Sequence, residues 1–233
     1  MKRFYERVDP VASENGFTVT LDGKMVRTPG RRNLEMATQA LAEAIAGEWR
    51  GQGEEIQPRA MPLTQLANTA IDRTRPHRSQ IIDQVAAYAG TDLLCYRASG
   101  PPDLAQLQAE SWQPLLDWAE TTYASRLRVT TDIRPLEQSK EALLAIFRAV
   151  AASDDFVLTG LHAAAAASGS VVIGLALATG HMEPEEGYGL AQLDELYQIE
   201  RWGEDSEARA RREEVRDVLA SATHFMALSR GAP

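Results

Sequence analysis

Polar and apolar residues alternate over residues 17–21 and again over residues 24–28. An alternation of period two is typical of β-strands that bury one face. The dipeptide between the two runs, Asp22-Gly23, favours a two-residue hairpin turn. The pattern therefore predicts an antiparallel hairpin with one apolar face. The expected cross-strand pairs are Val19 with Val26 and Phe17 with Thr28, and the apolar face would carry Phe17, Val19, Leu21 and Val26.

An amphipathic helix is predicted soon after the hairpin. Thr38 is a favourable N-cap, Gly51 favours helix termination, and between them apolar residues recur at every fourth position. These apolar residues are Leu41, Ile45 and Trp49. The apolar face of a small sheet needs a cover, and this helix is the nearest candidate. Residues 1–57 are therefore predicted to form an N-terminal α+β domain.

Helical periodicity dominates the remainder of the chain, residues 58–233, which we predict to be a second domain. Helices are expected over residues 62–72, 77–89, 139–151, 155–167, 170–179, 186–201 and 205–226, and from a Ser111 cap with Pro114 in the first turn. The predicted fold class is α+β, a small N-terminal β-sheet domain with a covering helix followed by a mainly helical C-terminal domain.

Residues 161–180 carry no formal charge and resemble a membrane span in length. About half of them are Ala, Gly or Ser, however, and real spans are more strongly apolar. Ser168-Gly169-Ser170 interrupts the stretch, so we expect a buried helical hairpin and no membrane insertion. The first seven residues resemble neither a signal peptide nor a transit peptide, which favours a cytoplasmic protein.

The net charge of −9 is distributed unevenly along the chain. Residues 1–60 hold nine Lys or Arg and nine Asp or Glu, whereas residues 61–233 hold fifteen against twenty-four. Residues 183–207 alone contain nine acids and one base, a net charge of −8. A nucleic-acid partner is not expected, because binding phosphates requires basic stripes.

No motif for catalysis or cofactor binding is present in the sequence. The four histidines are scattered, and neither glycine-containing run has the lysine and hydroxyl of a phosphate loop. Cys95, the only cysteine, lies in the apolar run of residues 93–96 and is expected to be a buried packing residue. We therefore expect no catalytic residue, no metal and no cofactor.

The helix expected near residues 190–202 has two apolar regions. At about 100° per residue, one broad apolar face carries Leu190, Leu193, Leu196 and Tyr197. Glu200 falls on the same side of the helix. A carboxylate there is expected to be buried and paired with an arginine from elsewhere. Glu195 instead projects beside Ile199 and Trp202, outside the core face.

An acid between an aliphatic and an aromatic side chain suits the capture of a partner's arginine or lysine. The alternative is a solvated helix edge at the rim of the domain. The candidate partner-binding residues, all from the acidic segment, are Glu195, Ile199, Trp202, Asp194 and Glu204.

Short runs throughout the chain resemble the ATP12-type chaperones, the ATP synthase F(1) assembly factors of mitochondria and alphaproteobacteria that hold the alpha subunit. The runs are Arg3-Phe4-Tyr5, Gly16-Phe17, Leu21-Asp22-Gly23, Arg27-Thr28-Pro29, Glu48-Trp49, Met61-Pro62-Leu63-Thr64, residues 66–72, residues 91–97, residues 112–116 and residues 202–208. The resemblance implies a β-containing N-terminal domain and a helical C-terminal domain.

The same resemblance implies a function without nucleotide or cofactor. The protein would bind the unassembled alpha subunit and prevent its aggregation until the beta subunit joins it, and a monomer is expected. The location would be the bacterial cytoplasm, or the mitochondrial matrix for a processed eukaryotic form.

Two other classes of function stay open at this stage. A small-molecule enzyme would use Asp194, Glu195 or Glu200 in a carboxylate-lined cleft between the domains. A constitutive structural subunit would remain in the finished complex. Convergence of two carboxylates in one deep pocket would favour the enzyme.

Overall fold

A four-stranded antiparallel sheet forms the start of the chain in the computed structural model, which describes residues 1–132, 134–203 and 206–230. Its strands are β1 (Val8–Ser13), β2 (Gly16–Leu21), β3 (Lys24–Met25) and β4 (Glu35–Met36). Strand β2 pairs with β1 along one edge and with both β3 and β4 along the other. The prediction of a small N-terminal sheet followed by helices is confirmed.

The predicted hairpin register is confirmed around the turn. Thr20 lies opposite Met25, and the backbone N–H of Val26 donates to the carbonyl of Val19 at 2.9 Å. Phe17, however, lies opposite Met36 and not opposite Thr28. The reason is that the chain turns at Thr28, whose N–H bonds to the carbonyl of Arg32, and β4 then completes the edge of β2.

Strand β1 is an element that the sequence pattern did not predict. Pro10 interrupts its alternation, and proline cannot donate a hydrogen bond to a ladder. An edge strand tolerates proline because one side of the strand has no partner. Strand β1 occupies such an edge, since β2 is its partner in the sheet.

Helix α1 (Gln39–Arg50) packs against the sheet as predicted. The Thr38 hydroxyl accepts a hydrogen bond from the N–H of Leu41 at 3.2 Å, so the predicted N-cap is confirmed. Leu41 and Ile45 are fully buried. Trp49, predicted to lie under the sheet, is only partly buried.

The remaining α-helices largely follow the predicted pattern. They are α2 (Pro62–Thr69), α3 (Arg78–Ala87), α4 (Pro102–Tyr123), α5 (Lys140–Ala151), α6 (Asp155–Ser168), α7 (Val171–Thr179), α8 (Pro184–Ala191), α9 (Leu193–Trp202) and α10 (Ser206–Arg230). A π-helical turn, Ala70–Thr74, follows α2. The break predicted near Gly169 is confirmed, because Gly169 adopts a φ of 70° between α6 and α7.

Two predicted helix boundaries are wrong. The helix expected to start at Ser111 is part of the longer α4, which runs through Pro114. Proline removes one helical hydrogen bond, but Trp112, Leu115 and Leu116 are buried on both sides of it and hold the helix in place. The helix expected over residues 186–201 is divided into α8 and α9.

The chain divides into two compact units. The first combines Met1–Arg78 with Asp154–Gly160 and the residues from His224, and its core joins the sheet to α1 and α2. The second comprises Ser79–Ser153 and Leu161–Thr223. The division into domains 1–57 and 58–233 stays a prediction. No helix in the described residues is both long and apolar enough to cross a membrane.

A buried carboxylate joins two segments inside the second unit. Asp92 is fully buried and accepts hydrogen bonds from the N–H of Leu94 at 3.1 Å and of Val172 at 3.2 Å. Burial raises its pKa to about 6 despite these bonds. Cys95 is buried as predicted, and burial, assisted by the charge of Asp92, raises its pKa to about 12.

Candidate functional site

Helix α9 is fixed to α4 by its buried face. Leu193 and Tyr197 are buried, and the Tyr197 hydroxyl donates a hydrogen bond to Asp103 of α4 at 2.9 Å. The Arg201 guanidinium pairs with the same carboxylate and lies 4.2 Å from the centre of the Tyr197 ring. The hydrogen bond from Tyr197 is the main cause of the lowered pKa of Asp103. These contacts fix the orientation of α9, and therefore of its opposite face.

Asp194 lies on the side of α9 that packs against α4. It is half-buried, and its Oδ1 accepts a hydrogen bond from the Gln108 side-chain amide of α4 at 2.6 Å. It is not among the residues that line the depression on the other side of the helix. The structure therefore separates Asp194 from the predicted residues Glu195, Ile199 and Trp202.

Those three predicted residues come together at one surface depression of about 270 Å³, here called the α9 depression. Among the described residues, its lining is Glu195, Gln198, Ile199, Trp202, Gly203, Ala208 and Arg212. The Trp202 side chain is 74% exposed, although indole is among the most costly side chains to leave in water. Glu204, the fifth predicted residue, lies outside the described residues. The depression thus combines an exposed aromatic ring with a carboxylate.

Arg212 of α10 is a component of the depression that the sequence did not identify. Its side chain is 5% exposed, and its guanidinium lies 3.4 Å from the carboxylate of Glu195, which is 56% exposed. The arginine therefore contacts the carboxylate from the protein interior, and the rest of the carboxylate is exposed to solvent. The signal in the sequence was weak, because Arg212 is only one of several arginines in a predicted helix.

The expected burial of Glu200 is wrong. Glu200 is exposed, and the carboxylate that pairs with a distant arginine is Glu195. The buried face of α9 is centred on Leu193 and Tyr197, whereas Leu196 is only half-buried. Glu200 lies one helical turn after Leu196, so it also turns towards solvent.

Arginines of α10 compensate part of the acidic segment's charge. Besides the pair of Arg212 with Glu195, Arg216 contacts Glu185 of α8 at 2.7 Å. The net charge of −8 counted along residues 183–207 therefore overstates the local negative charge. Charge alone does not distinguish this surface, and the exposed tryptophan is its more specific feature.

The carboxylates considered for an enzyme do not converge in the depression. Asp194 is bound by Gln108, Glu200 is not a lining residue, and Glu195 is the one acidic residue in the described lining. Within the described residues, no cluster of three or more His, Cys, Asp or Glu side chains could hold a metal ion.

Comparisons with known proteins connect the chain to one family. The model of the family described as ATP12 chaperone protein matches residues 2–120. A curated mitochondrial protein of Schizosaccharomyces pombe, named Protein atp12, is 22% identical over 234 residues, which cover 95% of this chain and 80% of the relative.

Solved structures extend the similarity to the second unit. The crystal structure of Atp12 from Paracoccus denitrificans has a TM-score of 0.94 and 40% sequence identity, covering 98% of both chains. A protein of Agrobacterium tumefaciens has a TM-score of 0.93 and 36% identity, covering 99% of this chain and 86% of the other. The similarity to these structures therefore extends over nearly the whole chain, including the second unit.

Proposed function

The chain belongs to the ATP12 chaperone family, and we propose that within F(1) assembly it binds the alpha subunit of ATP synthase before the beta subunit joins. An unassembled subunit exposes the surface that its neighbour will later cover, and such surfaces aggregate. A chaperone that binds only the unassembled form lowers its free concentration by mass action. This action requires no chemical step.

The observation that carries the proposal for the binding site is the exposure of Trp202 beside Glu195. Tryptophan and arginine dominate the energetics of protein interfaces, where an aromatic ring gains most when a partner removes it from water. Glu195 lines the same depression, and its side chain is 56% exposed, so part of the carboxylate is accessible to a partner's cation. The surface therefore suits a partner's arginine or lysine, whose aliphatic stem would pack against Trp202 and Ile199.

Arg212 preorganises the Glu195 carboxylate for binding. Because Arg212 already contacts Glu195 from the buried side, the carboxylate loses less conformational freedom when a partner cation approaches. The same contact weakens the attraction between Glu195 and a partner's cation, because the carboxylate would then be shared between that cation and Arg212. We expect binding to depend on the ring of Trp202 as well as on the charge of Glu195.

The proposal includes no enzymatic activity, no nucleotide and no cofactor. Membership in a chaperone family supports this view, as does the lack of a phosphate-loop motif in the sequence. The protein would act as a monomer in the bacterial cytoplasm, or in the mitochondrial matrix if its source is eukaryotic. Its similarity to bacterial proteins and to a mitochondrial protein of yeast supports these two locations.

The direct test measures light scattering by purified alpha subunit after dilution from denaturant. We expect a stoichiometric amount of the chain to suppress scattering without ATP, and later addition of beta subunit to release the chaperone. Absence of suppression, or suppression that requires nucleotide, would contradict the proposal. Stoichiometric retention of the chain in finished F(1) would instead indicate a structural subunit.

A further inference from the structure

A second surface with an apolar floor lies on the first unit, beside the turn of the β2–β3 hairpin. This groove, here called the hairpin groove, has a volume of about 390 Å³. Its principal apolar lining comprises Phe4, Tyr5, Leu21, Met25, Val26 and Trp49. Its described lining residues all belong to the first unit, and none of them is among the described lining of the α9 depression.

Three large apolar residues that line the groove are strongly exposed. Met1 is 75% exposed, Phe4 is 64% exposed and Met25 is 41% exposed. Phe4 is positioned by an edge-to-face contact with Tyr5, and Tyr5 makes a similar contact with Trp49 at 5.7 Å between ring centres. A contiguous row of aromatic rings that ends in an exposed phenylalanine is typical of a surface that binds another protein.

The charges at the groove favour an acidic partner. Lys24 and Arg27 line it, and both are exposed. Lys24 also interacts electrostatically with Asp22, whereas Arg27 adds a second positive charge to the lining. The acidic residue of the lining, Asp22, already accepts hydrogen bonds from the N–H groups of Glu6 and Arg7. These bonds lower the pKa of Asp22, so it stays ionised but has less capacity for a partner. The net charge of the lining is therefore positive, which favours a partner that carries a carboxylate.

We propose that the hairpin groove binds a segment of the client protein that carries a large apolar side chain next to a carboxylate. The apolar side chain would cover Phe4 and Met25, and the carboxylate would face Lys24 and Arg27. This inference rests on the proposed function, because the client is the alpha subunit bound by the α9 depression. The two surfaces have opposite charge preferences, so they engage different segments of the client.

Photo-crosslinking tests whether the client binds at the hairpin groove. Benzoylphenylalanine is introduced in place of Phe4, of Trp202, or of Val11, which is exposed on β1 and does not line the groove. With purified alpha subunit we expect crosslinks from the Phe4 and Trp202 positions and at least a tenfold lower yield from the Val11 position. Crosslinks from Trp202 but not from Phe4 would contradict client binding at the hairpin groove and leave the proposed function intact. If the unmodified chain does not bind the alpha subunit at all, both the proposed function and the role of the hairpin groove are wrong.

Charge reversal tests the chemistry. The double variant Lys24→Glu, Arg27→Glu should raise the dissociation constant for the alpha subunit roughly tenfold and reduce its dependence on salt. The matched control, Arg59→Glu with Arg73→Glu, makes the same change of charge at exposed residues of the first unit outside the groove. We expect the control to stay within about twofold of the unmodified chain. Equal weakening by both variants, or by neither, would overturn the proposed charge preference.

Discussion

The carboxylate of Asp72 accepts a hydrogen bond from the backbone N–H of Gly30 at 2.7 Å. Its other oxygen accepts a hydrogen bond from the Thr28 hydroxyl at 2.8 Å and contacts the Arg32 guanidinium at 3.3 Å. Asp72 thus fixes the turn that connects the hairpin to β4, in which Arg31 adopts a φ of 62°. A Cβ atom at Gly30 would lie 2.6 Å from the Asp72 carboxylate, so any other residue at this position would force the carboxylate to move.

Gly30→Ala is expected to destabilise the protein by about 1–3 kcal/mol, because the methyl group displaces the Asp72 carboxylate from its hydrogen bonds. The free energy of unfolding is measured in urea. Gly47→Ala is the control, since Gly47 lies in α1 and a Cβ atom there would meet no atom within 4 Å. The control should stabilise by about 0.5–1 kcal/mol. Equal effects of both substitutions would show that Asp72 does not restrict the turn.

Trp49→Ala is expected to destabilise the protein by about 2–4 kcal/mol, because it removes the ring that packs against Tyr5 and the core. Trp49→Phe should cost less than about 1.5 kcal/mol. The indole N–H is buried without an acceptor among the described residues, so its removal breaks no hydrogen bond there. Thermal or urea unfolding distinguishes the variants. An equally large loss in both would indicate that the N–H has a necessary partner.

Asp92 is expected to make stability depend on pH. Its folded-state pKa of about 6 exceeds the usual value of 3.8, so the folded protein holds the proton more tightly than the unfolded chain does. The contribution of Asp92 to the free energy of unfolding therefore falls as pH rises from about 4 to about 6, by roughly 3 kcal/mol. Asp92→Asn lacks this titration. The difference in stability between the unmodified protein and Asp92→Asn should shift across that range, and a constant difference would contradict the account.

Glu195→Lys is expected to lower the melting temperature by a few degrees, because it places two cations together at Arg212, and to abolish protection of the alpha subunit. Reversing a charge at an interface leaves a repulsive pair that costs several kcal/mol. Glu200→Lys makes the same change on the same helix, but Glu200 is exposed and outside the depression. The Glu200→Lys variant should fold and protect normally in the light-scattering assay. Loss of protection in both variants would indicate only a general need for negative charge.

Local signals predicted the parts of the fold that local chemistry determines. Asp22-Gly23 specified the hairpin register, and Thr38 specified the start of α1, because turn and capping preferences act over a few residues. Strand β1 was missed because Pro10 obscures its alternation, and an edge position that tolerates proline is a property of the whole sheet.

The candidate site was partly predictable for a similar reason. Helical periodicity placed Glu195 beside Ile199 and Trp202, since all three are on one short helix. The pairing of Glu195 with Arg212 depends on how α10 packs against α9, which no local pattern contains. The rotation of α9 about its axis also depends on its attachment to Asp103 and Gln108. The sequence pattern gave the wrong rotation of α9 about its axis, and Glu200 was therefore wrongly predicted to be buried.

The dissociation constant of Trp202→Ala for the alpha subunit is the most direct test of the central claim that the α9 depression binds the client. Trp202 is 74% exposed, so its removal should leave the stability unchanged. Leu144→Ala is the control, since Leu144 is 46% exposed on α5 and does not line the depression. For an interface residue of this type we predict about 30-fold weaker binding by Trp202→Ala and no change for Leu144→Ala. Unchanged binding by a correctly folded Trp202→Ala variant would contradict the claim.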